Sequence, residues 1–140
     1  MIENAILLDS TVPTYALGVD HPLRDSNRAL LSRLVAGGFR GYASVEMVQE
    51  LVHHRLRRTG DRADAVRNGR DISTILTVLN FDREILDLSL DLIERHPTIR
   101  GRDAVHAATA LAYGIERIAS TDRAFDEIPG ITRVDPLSFA

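Results

Sequence analysis

The segment AILLDST, residues 5–11, decides the fold class of this 140-residue chain. Its first four residues form a continuous apolar run, which ends at Asp9, Ser10 and Thr11. A short apolar run without alternation predicts a strand that is buried on both faces, as in a parallel sheet. Either hydroxyl residue can then cap a helix that begins near Pro13.

Helical spacing of apolar residues and short apolar runs alternate along the rest of the chain. The predicted helices cover about residues 24–36, the stretch after Ser44, 61–76, 82–94, 101–114 and a short segment from Ser120. The further predicted strands are residues 42–43, 77–80, 115–119 and 131–134. This alternation predicts a three-layer α/β/α fold with a mostly parallel central sheet. No linker, repeat or low-complexity segment interrupts the pattern, so we expect one domain over residues 1–140.

Composition excludes several classes of chemistry. The chain has no Cys, and all 17 of its basic residues are Arg. The absence of Cys excludes thiolate zinc sites and cysteine nucleophiles. The absence of Lys excludes the lysine-containing phosphate loop and Schiff-base chemistry. It also argues against a receiver-type or haloacid-dehalogenase-type phosphotransfer domain, in which a lysine faces the phosphoryl group.

The ends and the charge of the chain set weaker limits. The N-terminal MIENAILLDS lacks the basic segment of a signal peptide, and no apolar run approaches the roughly 18 residues of a membrane span. We therefore expect a cytoplasmic protein without a membrane partner. A net charge of −3 and a pI near 5.9 argue mildly against nucleic-acid binding. Carboxylates that are clustered around cations would weaken that argument, because the bound ions reverse the local charge.

Acidic residues recur at the ends of predicted elements. Asp9 follows the first strand, Asp122 follows the strand that ends at Ala119, and Asp103 lies in the first turn of a helix. Ligands of open parallel sheets bind beyond the carboxyl ends of the strands, so we expect these acids to converge. Converging carboxylates need a compensating proton or cation, and an all-oxygen site favours Mg²⁺ or Mn²⁺. Such ions support hydrolysis of a phosphodiester by water.

Each acid also has a purely structural explanation. Asp103 suits the positive end of a helix dipole, and Asp122 suits a helix N-cap. Asp9 is explained as a loop acid, and Glu46 and Glu50 as solvated helix surface. Their combined placement at ligand-facing ends favours a site.

Four segments resemble a known family. They are LLDSTVPTYAL at residues 7–17, YASVEMVQEL at 42–51, GRDAVHAATALAYGI at 101–115 and ASTDRAFDEIPGI at 119–131. In order and spacing they are similar to a PIN-domain ribonuclease of the VapC type, the toxin of a bacterial toxin–antitoxin pair. The resemblance covers essentially the whole chain.

This resemblance implies a set of roles. Asp9, Asp103 and Asp122 correspond to ligands of Mg²⁺ or Mn²⁺, and Glu50 to a fourth catalytic acid that helps to hold or orient the attacking water. Asp126 matches an often acidic position and is a candidate outer ligand. The resemblance also implies cleavage of single-stranded or looped RNA, a homodimer, and a cognate antitoxin whose tail occupies the site.

Two positions depart from the family pattern. Thr11 stands where many relatives carry Asn, and its hydroxyl is still able to bond to a ligand carboxylate. His106 stands where relatives are more often aliphatic, and we interpret it as a helix residue packed beside the core. The adjacent His53 and His54 point in different directions on a helix and are interpreted as surface residues.

The sequence leaves more than one interpretation open for several arginines, and more than one function for the protein. Arg100 and Arg102 are candidate substrate contacts or exposed loop charges. A second group of arginines has three interpretations: a solvated face, an RNA patch or a partner surface. Its members are Arg55, Arg57, Arg58 and Arg62. The main functional prediction is a metal-dependent endoribonuclease that acts as a toxin. The alternatives are a non-catalytic PIN-like module that binds RNA or protein, and an RNA-processing nuclease without an antitoxin.

Overall fold

The strand predicted first in the sequence, Ala5–Leu8 (β1), lies at the centre of a five-stranded sheet. These coordinates come from a computed structural model that describes residues 4–139. The other strands are Arg40–Ser44 (β2), Thr77–Leu79 (β3), Arg117–Ala119 (β4) and Thr132–Val134 (β5). The α-helices are Thr11–Leu17 (α1), Arg24–Val35 (α2), Val45–Thr59 (α3), Arg62–Ile75 (α4), Arg83–Arg95 (α5) and Gly101–Ala112 (α6). Two short 3-10 helices cover Arg123–Glu127 and Pro136–Phe139.

The predicted α/β/α fold class is confirmed. Each predicted strand and helix is found within a few residues of its expected bounds, and every strand pair is parallel. The short helix after Ser120 is a 3-10 helix rather than an α-helix. The expectation of one domain over residues 1–140 includes residues 1–3 and 140, which lie outside the described residues.

Strand β1 is buried on both faces, as its unbroken apolar sequence predicts. Ala5 and Leu7 pack into the core under α5 and α6, whereas Ile6 and Leu8 pack into the core under α1 to α4. Successive side chains of a strand point to opposite faces, so an apolar residue is needed at every position. The two cores flank the sheet and make it the middle of three layers.

The strand order β3-β2-β1-β4-β5 places a topological switch beside β1. From β1 the chain adds β2 and β3 on one side, and it then returns to add β4 and β5 on the other. A crevice opens at the carboxyl ends of the strands where the order reverses, and such crevices bind ligands. The register pairs Leu8 with Ala119, so the next residues, Asp9 and Ser120, enter this crevice side by side.

Some local predictions succeed and others fail. The helix predicted after Ser44 begins there, and Ser44 caps it: its side chain accepts a hydrogen bond from the Met47 amide. The predicted cap of α1 is wrong: the Ser10 side chain makes no capping hydrogen bond. The apolar residues at the end of α2 are only partly buried, since Leu34 is covered but Val35 is 68% exposed. Among residues 4–139, no helix combines the length and the apolar character needed to cross a membrane.

Candidate active site

Asp9 lies at the carboxyl end of β1 and is 1% exposed. Its Oδ1 accepts hydrogen bonds from the Thr11 amide at 3.0 Å and from the Thr11 hydroxyl at 2.5 Å. Its Oδ2 accepts one from the Ser120 hydroxyl at 2.5 Å. Burial raises the pKa of the Asp9 carboxyl above its usual value, although these hydrogen bonds oppose the rise. The expectation that Thr11 bonds to this carboxylate is confirmed.

Asp103 and Asp122 meet at the same end of the sheet. Burial, the charges of Asp122 and Asp9, and a hydrogen bond with Asp122 raise the pKa of Asp103 to about 7; the nearby His106 opposes the rise. Asp122 also begins the 3-10 helix, where its Oδ1 accepts a hydrogen bond from the Ala124 amide at 2.9 Å. Its capping role and its place beside Asp103 are therefore compatible. Asp103 therefore lies beside Asp122 and within range of the charge of Asp9, while a metal site shared by the three acids stays a prediction.

Glu50 projects from α3 into a set of hydrogen-bond donors. Its Oε1 lies 2.9 Å from Nε2 of His106, and its Oε2 accepts a hydrogen bond from the Ser10 hydroxyl at 3.2 Å. Arg102 reaches the same Oε2 at 3.9 Å. The Glu50 side chain is 13% exposed, so these contacts replace much of its contact with water. The interpretation of Glu50 as solvated surface is therefore wrong.

His106 is fully enclosed between α6, α3 and the end of β2. Its Nδ1 lies 3.1 Å from the Ser44 hydroxyl, so both ring nitrogens have polar partners. Burial lowers the pKa of His106, but the hydrogen bond with Glu50 and the charges of Glu50, Asp9 and Asp103 outweigh burial and raise it. The imidazole consequently links Glu50 to the acidic cluster electrostatically. The interpretation of His106 as a helix residue packed beside the core is correct for its position. That interpretation did not include its contact with Glu50.

Ser120 is a site residue that sequence reasoning missed. Its hydroxyl donates to Asp9 and accepts a hydrogen bond from the Asp122 amide at 2.9 Å. It therefore connects two of the three converging acids. The available signal was its position directly after β4, opposite Asp9 in the strand register.

Asp126 lies close to the site but is held by another residue. Both of its carboxylate oxygens contact Arg133, at 2.9 and 3.4 Å. Arg133 also donates to the Ser120 carbonyl at 3.0 Å and lies 3.7 Å from Asp135. These contacts brace the segment that carries Asp122. An outer-ligand role of Asp126 stays a prediction.

The remaining charged candidates differ in their placement. Arg102 lies beside Glu50 and is 63% exposed, so its guanidinium is available at the rim of the site. Arg100 is exposed and forms no ion pair among residues 4–139. His53 is exposed and His54 half-buried, and both border a cavity that extends from Glu50.

The donor chemistry of the acidic cluster suits a hard divalent cation. Asp9, Asp103 and Asp122 offer only carboxylate oxygens, and burial together with the charges of the other two acids raises the pKa of Asp103 to about 7. A bound cation would relieve the repulsion between these charges. Within residues 4–139, however, no group of three or more acidic or histidine side chains is arranged to hold a metal ion. Asp9 is instead turned toward the hydroxyls of Thr11 and Ser120.

Comparison with known proteins identifies the family. The PIN domain family matches residues 6–131. Ribonuclease VapC7 of Mycobacterium tuberculosis is 36% identical over 138 residues, which cover 94% of this chain and 91% of that protein. Ribonuclease VapC13 of the same species and VapC ribonuclease Mb1869c of Mycobacterium bovis are each 34% identical over 131 residues, covering 92% of this chain and 98% of the relative.

Solved structures share the fold at low sequence identity. VapBC2 from Rickettsia felis, solved with a DNA fragment from their promoter, matches with a TM-score of 0.71 and 19% identity over 93% of this chain and 97% of that chain. VapC20 of Mycobacterium tuberculosis, a toxin that cleaves the sarcin-ricin loop, matches with a TM-score of 0.71 and 18% identity over 84% of this chain and 90% of that chain. By fold and sequence, the chain belongs to the PIN domain family, in the VapC group.

Proposed function

We propose that this protein is an endoribonuclease that hydrolyses RNA phosphodiester bonds as the toxin of a toxin–antitoxin pair. One observation carries the proposal: Asp9, Asp103 and Asp122 lie together at the switch point of the sheet, where burial and the charges of the other two acids raise the pKa of Asp103 to about 7. The names of the relatives, VapC ribonucleases at 34–36% identity, support the same activity.

In this proposal, Asp9, Asp103 and Asp122 hold one or two divalent cations, Mg²⁺ or Mn²⁺. Bound there, such cations lower the pKa of a water molecule and neutralise charge on the leaving oxygen. The carboxyl ends of β1 and β4 supply the fixed positions of Asp9 and Asp122. Thr11 and Ser120 hold the Asp9 carboxylate in one orientation by bonding to both of its oxygens.

Glu50 orients the attacking water and accepts its proton. A carboxylate can do so only if its oxygens keep a fixed direction and a free lone pair. His106 Nε2 and the Ser10 hydroxyl each take one oxygen of Glu50, which fixes the carboxylate plane and leaves further acceptor capacity on both oxygens. Arg102, at the rim, contacts the substrate phosphate.

We further propose a cognate antitoxin that covers the site. An apolar groove of about 950 Å³ runs beside α3. Glu50 and Arg102, which lie at the candidate active site, also line this groove. Val48, Val52 and Leu56 line it. A segment of the antitoxin that lies in this groove would also block access to Glu50. Structures of toxin–antitoxin complexes with the same fold support such a partner.

A homodimer is the proposed assembly. Leu86, Leu90 and Ile93 lie three or four residues apart on α5 and are 38%, 54% and 39% exposed. This stripe lies beside the face that α5 buries in the core, about 100° around the helix from Ile85, Ser89 and Leu92. Pairing two copies would remove it from water.

We propose one domain over residues 1–140 and action in the cytoplasm, where cellular RNA is available.

The test is cleavage of a single-stranded RNA by the purified chain. We expect cleavage with Mg²⁺ or Mn²⁺, loss of cleavage in EDTA, and loss in Asp9→Asn with the fold retained. Products should carry 5′-phosphate and 3′-hydroxyl ends, because water attacks rather than the ribose 2′-hydroxyl. Cyclic phosphate ends, or undiminished activity in EDTA, would contradict the proposal.

The second candidate is a non-catalytic PIN-like binding module. The absence of a preassembled metal-binding group within residues 4–139 favours it. Thermal unfolding distinguishes the two functions. Divalent cations at millimolar concentration should raise the melting temperature of the nuclease by binding only the folded state. RNA binding with neither cleavage nor such a rise would support the module.

A further inference from the structure

A row of polar residues continues along α3 from the acidic site. Glu50, His53, His54, Arg57 and Arg58 follow the pattern i, i+3, i+4, i+7 and i+8 along α3. They therefore lie on one broad side of the helix, although adjacent members point in directions about 100° apart. All five line one cavity of about 490 Å³. The row covers the nine residues 50–58, a rise of about 12 Å along the helix, which equals about three stacked nucleotides at 3.4 Å each.

The facing wall of this cavity is aromatic. Tyr15 projects from α1, and His21 lies in the loop that follows. Their ring centroids are 4.8 Å apart, with an angle of 34° between the planes. Tyr15 is half-buried and His21 exposed, so the pair presents a firm aromatic surface that still faces water.

The arginines of the row differ in what they do. Arg55, beside the row, ties α3 to its surroundings: it donates to the Leu17 carbonyl at 3.1 Å and lies 3.6 Å from Asp64. Arg57 and Arg58 are exposed and form no ion pair among residues 4–139. Their guanidinium groups are therefore available to an anion.

The cavity carries positive charge although the chain has a net charge of −3. Burial lowers the pKa of His54, and the charges of Arg58, Arg55 and Arg57 lower it further. The positive charges of these three guanidinium groups therefore all act on His54 within the groove. The groove itself is lined by one carboxylate, Glu50, and by four arginines, Arg55, Arg57, Arg58 and Arg102.

We propose that this groove holds single-stranded RNA next to the cleavage site, with phosphates on Arg57 and Arg58 and a base stacked on the Tyr15–His21 pair. A cationic wall combined with an aromatic wall is the arrangement that binds unpaired nucleic acid without sequence preference. The inference deepens the proposed function and rests on it. It adds the path of the strand, from Glu50 along α3 toward the end of the helix.

The first test measures binding without cleavage. A fluorescent RNA of about 12 nucleotides is titrated in EDTA with the full chain at several salt concentrations. Arg57→Ala/Arg58→Ala should weaken binding and reduce the slope of log K against log salt by about 1.4, or 0.7 for each lost phosphate contact. Arg67→Ala/Arg70→Ala on α4 is the matched control, because it removes two arginines that lie outside this groove. An unchanged slope in the first variant, or equal changes in both, would overturn the proposal.

The second test examines the stacking surface. Tyr15→Ala and His21→Ala should each weaken RNA binding about 5-fold or more, and Tyr15→Phe should bind like the wild type. The chain has no Trp and three Tyr, so a base stacked on Tyr15 should quench tyrosine fluorescence on titration with unlabelled RNA. Quenching that is the same in Tyr15→Phe as in the wild type would contradict the stacking.

The binding assay separates this inference from the proposed function. If the chain binds RNA through Arg57 and Arg58 but cleaves no RNA with metal present, the RNA-binding groove is supported and the nuclease proposal is wrong. If the chain cleaves RNA normally and the arginine variants bind RNA unchanged, the nuclease stands and the groove proposal fails. Variants that keep RNA binding but lose the co-expressed antitoxin would show a protein contact and also overturn the RNA path.

Discussion

The imidazole of His106 lies 2.9 Å from the carboxylate of Glu50, with the ring 1% exposed and the carboxylate side chain 13% exposed. A hydrogen bond between two such groups fixes direction well, because neither partner can exchange it for water at low cost. The ring is anchored in turn by the Ser44 hydroxyl, which also caps α3. The end of β2 thereby controls the orientation of a side chain one turn and a half further along α3.

Removing this contact should impair turnover. We expect His106→Ala to lower kcat for RNA cleavage by about 10- to 100-fold with KM almost unchanged, as is typical when a residue behind a catalytic side chain is lost. His106→Gln should recover part of the activity, since its amide is able to donate to Glu50. Steady-state kinetics at saturating metal measure both values.

A double-mutant cycle checks that His106 acts through Glu50. In the background of Glu50→Gln, the change His106→Ala should cost little further activity. Losses that simply add would show that His106 acts independently of Glu50. Thermal unfolding of each variant controls for packing damage, because His106 is buried within α6.

The pH dependence of stability should report the raised pKa of Asp103, which burial and the charges of Asp122 and Asp9 cause. The folded-state pKa of about 7 is higher than the ordinary value of 3.8, so the folded protein binds this proton more tightly than the unfolded chain does. In EDTA, the free energy of unfolding should therefore fall as pH rises from about 4 to about 7. Urea denaturation across this range measures the decline, and we expect about 1–3 kcal/mol after allowance for solvent screening.

Asp103→Asn provides the comparison for this effect. The variant should show a smaller decline between pH 4 and 7 and be more stable than the wild type in EDTA above pH 7; the decline that remains comes from Asp9 and His106, whose pKa values are also raised. Mg²⁺ or Mn²⁺ should narrow this difference by stabilising the wild type more. A wild-type protein with the same pH dependence as Asp103→Asn would refute the raised pKa of Asp103.

The fold was predictable because its signals are local. The apolar run of β1, the serine that caps α3, and the glycines after α2 each act over a few residues, so the sequence pattern determines them directly. The acidic residues were also found, since parallel strands bring their carboxyl ends to one edge.

The support of those acids was not predictable in the same way. Ser120 reaches Asp9 only because β4 lies beside β1 in a given register, and His106 reaches Glu50 only because α6 packs near α3. The hydroxyl of Ser10 suits an N-cap by propensity, yet it bonds to Glu50, which is 40 residues away in the chain. Tertiary contacts of this kind override the local preference.

Ser120→Ala should destabilise the fold more at neutral than at acidic pH. The Ser120 hydroxyl donates to a carboxylate that is 1% exposed, and without it the ionised form of Asp9 loses one of its hydrogen bonds. The pKa of Asp9 should rise further, and the ionised group should cost about 1–3 kcal/mol at pH 8. At pH 4 a larger share of Asp9 is protonated, so the loss should be smaller.

Urea denaturation of Ser120→Ala at the two pH values measures the difference. Ser73→Ala is the matched control, because its hydroxyl bonds to the Gly69 carbonyl within α4 and touches no carboxylate. The control should lose about the same stability at both pH values. An effect of Ser120→Ala that does not vary with pH would contradict the assigned role of its hydroxyl.

The exposed stripe on α5 should govern self-association. Leu90, at its centre, is 54% exposed, so replacing it with Glu in Leu90→Glu removes little from the core of one chain. In a homodimer that pairs this stripe, two carboxylates would be brought into an apolar interface, which is strongly unfavourable. We expect the wild type to sediment as a dimer and Leu90→Glu as a monomer with unchanged helix content. Val35→Glu, at a position on α2 that is 68% exposed, is the control and should leave the dimer intact. A dimer that survives Leu90→Glu would exclude α5 as the interface.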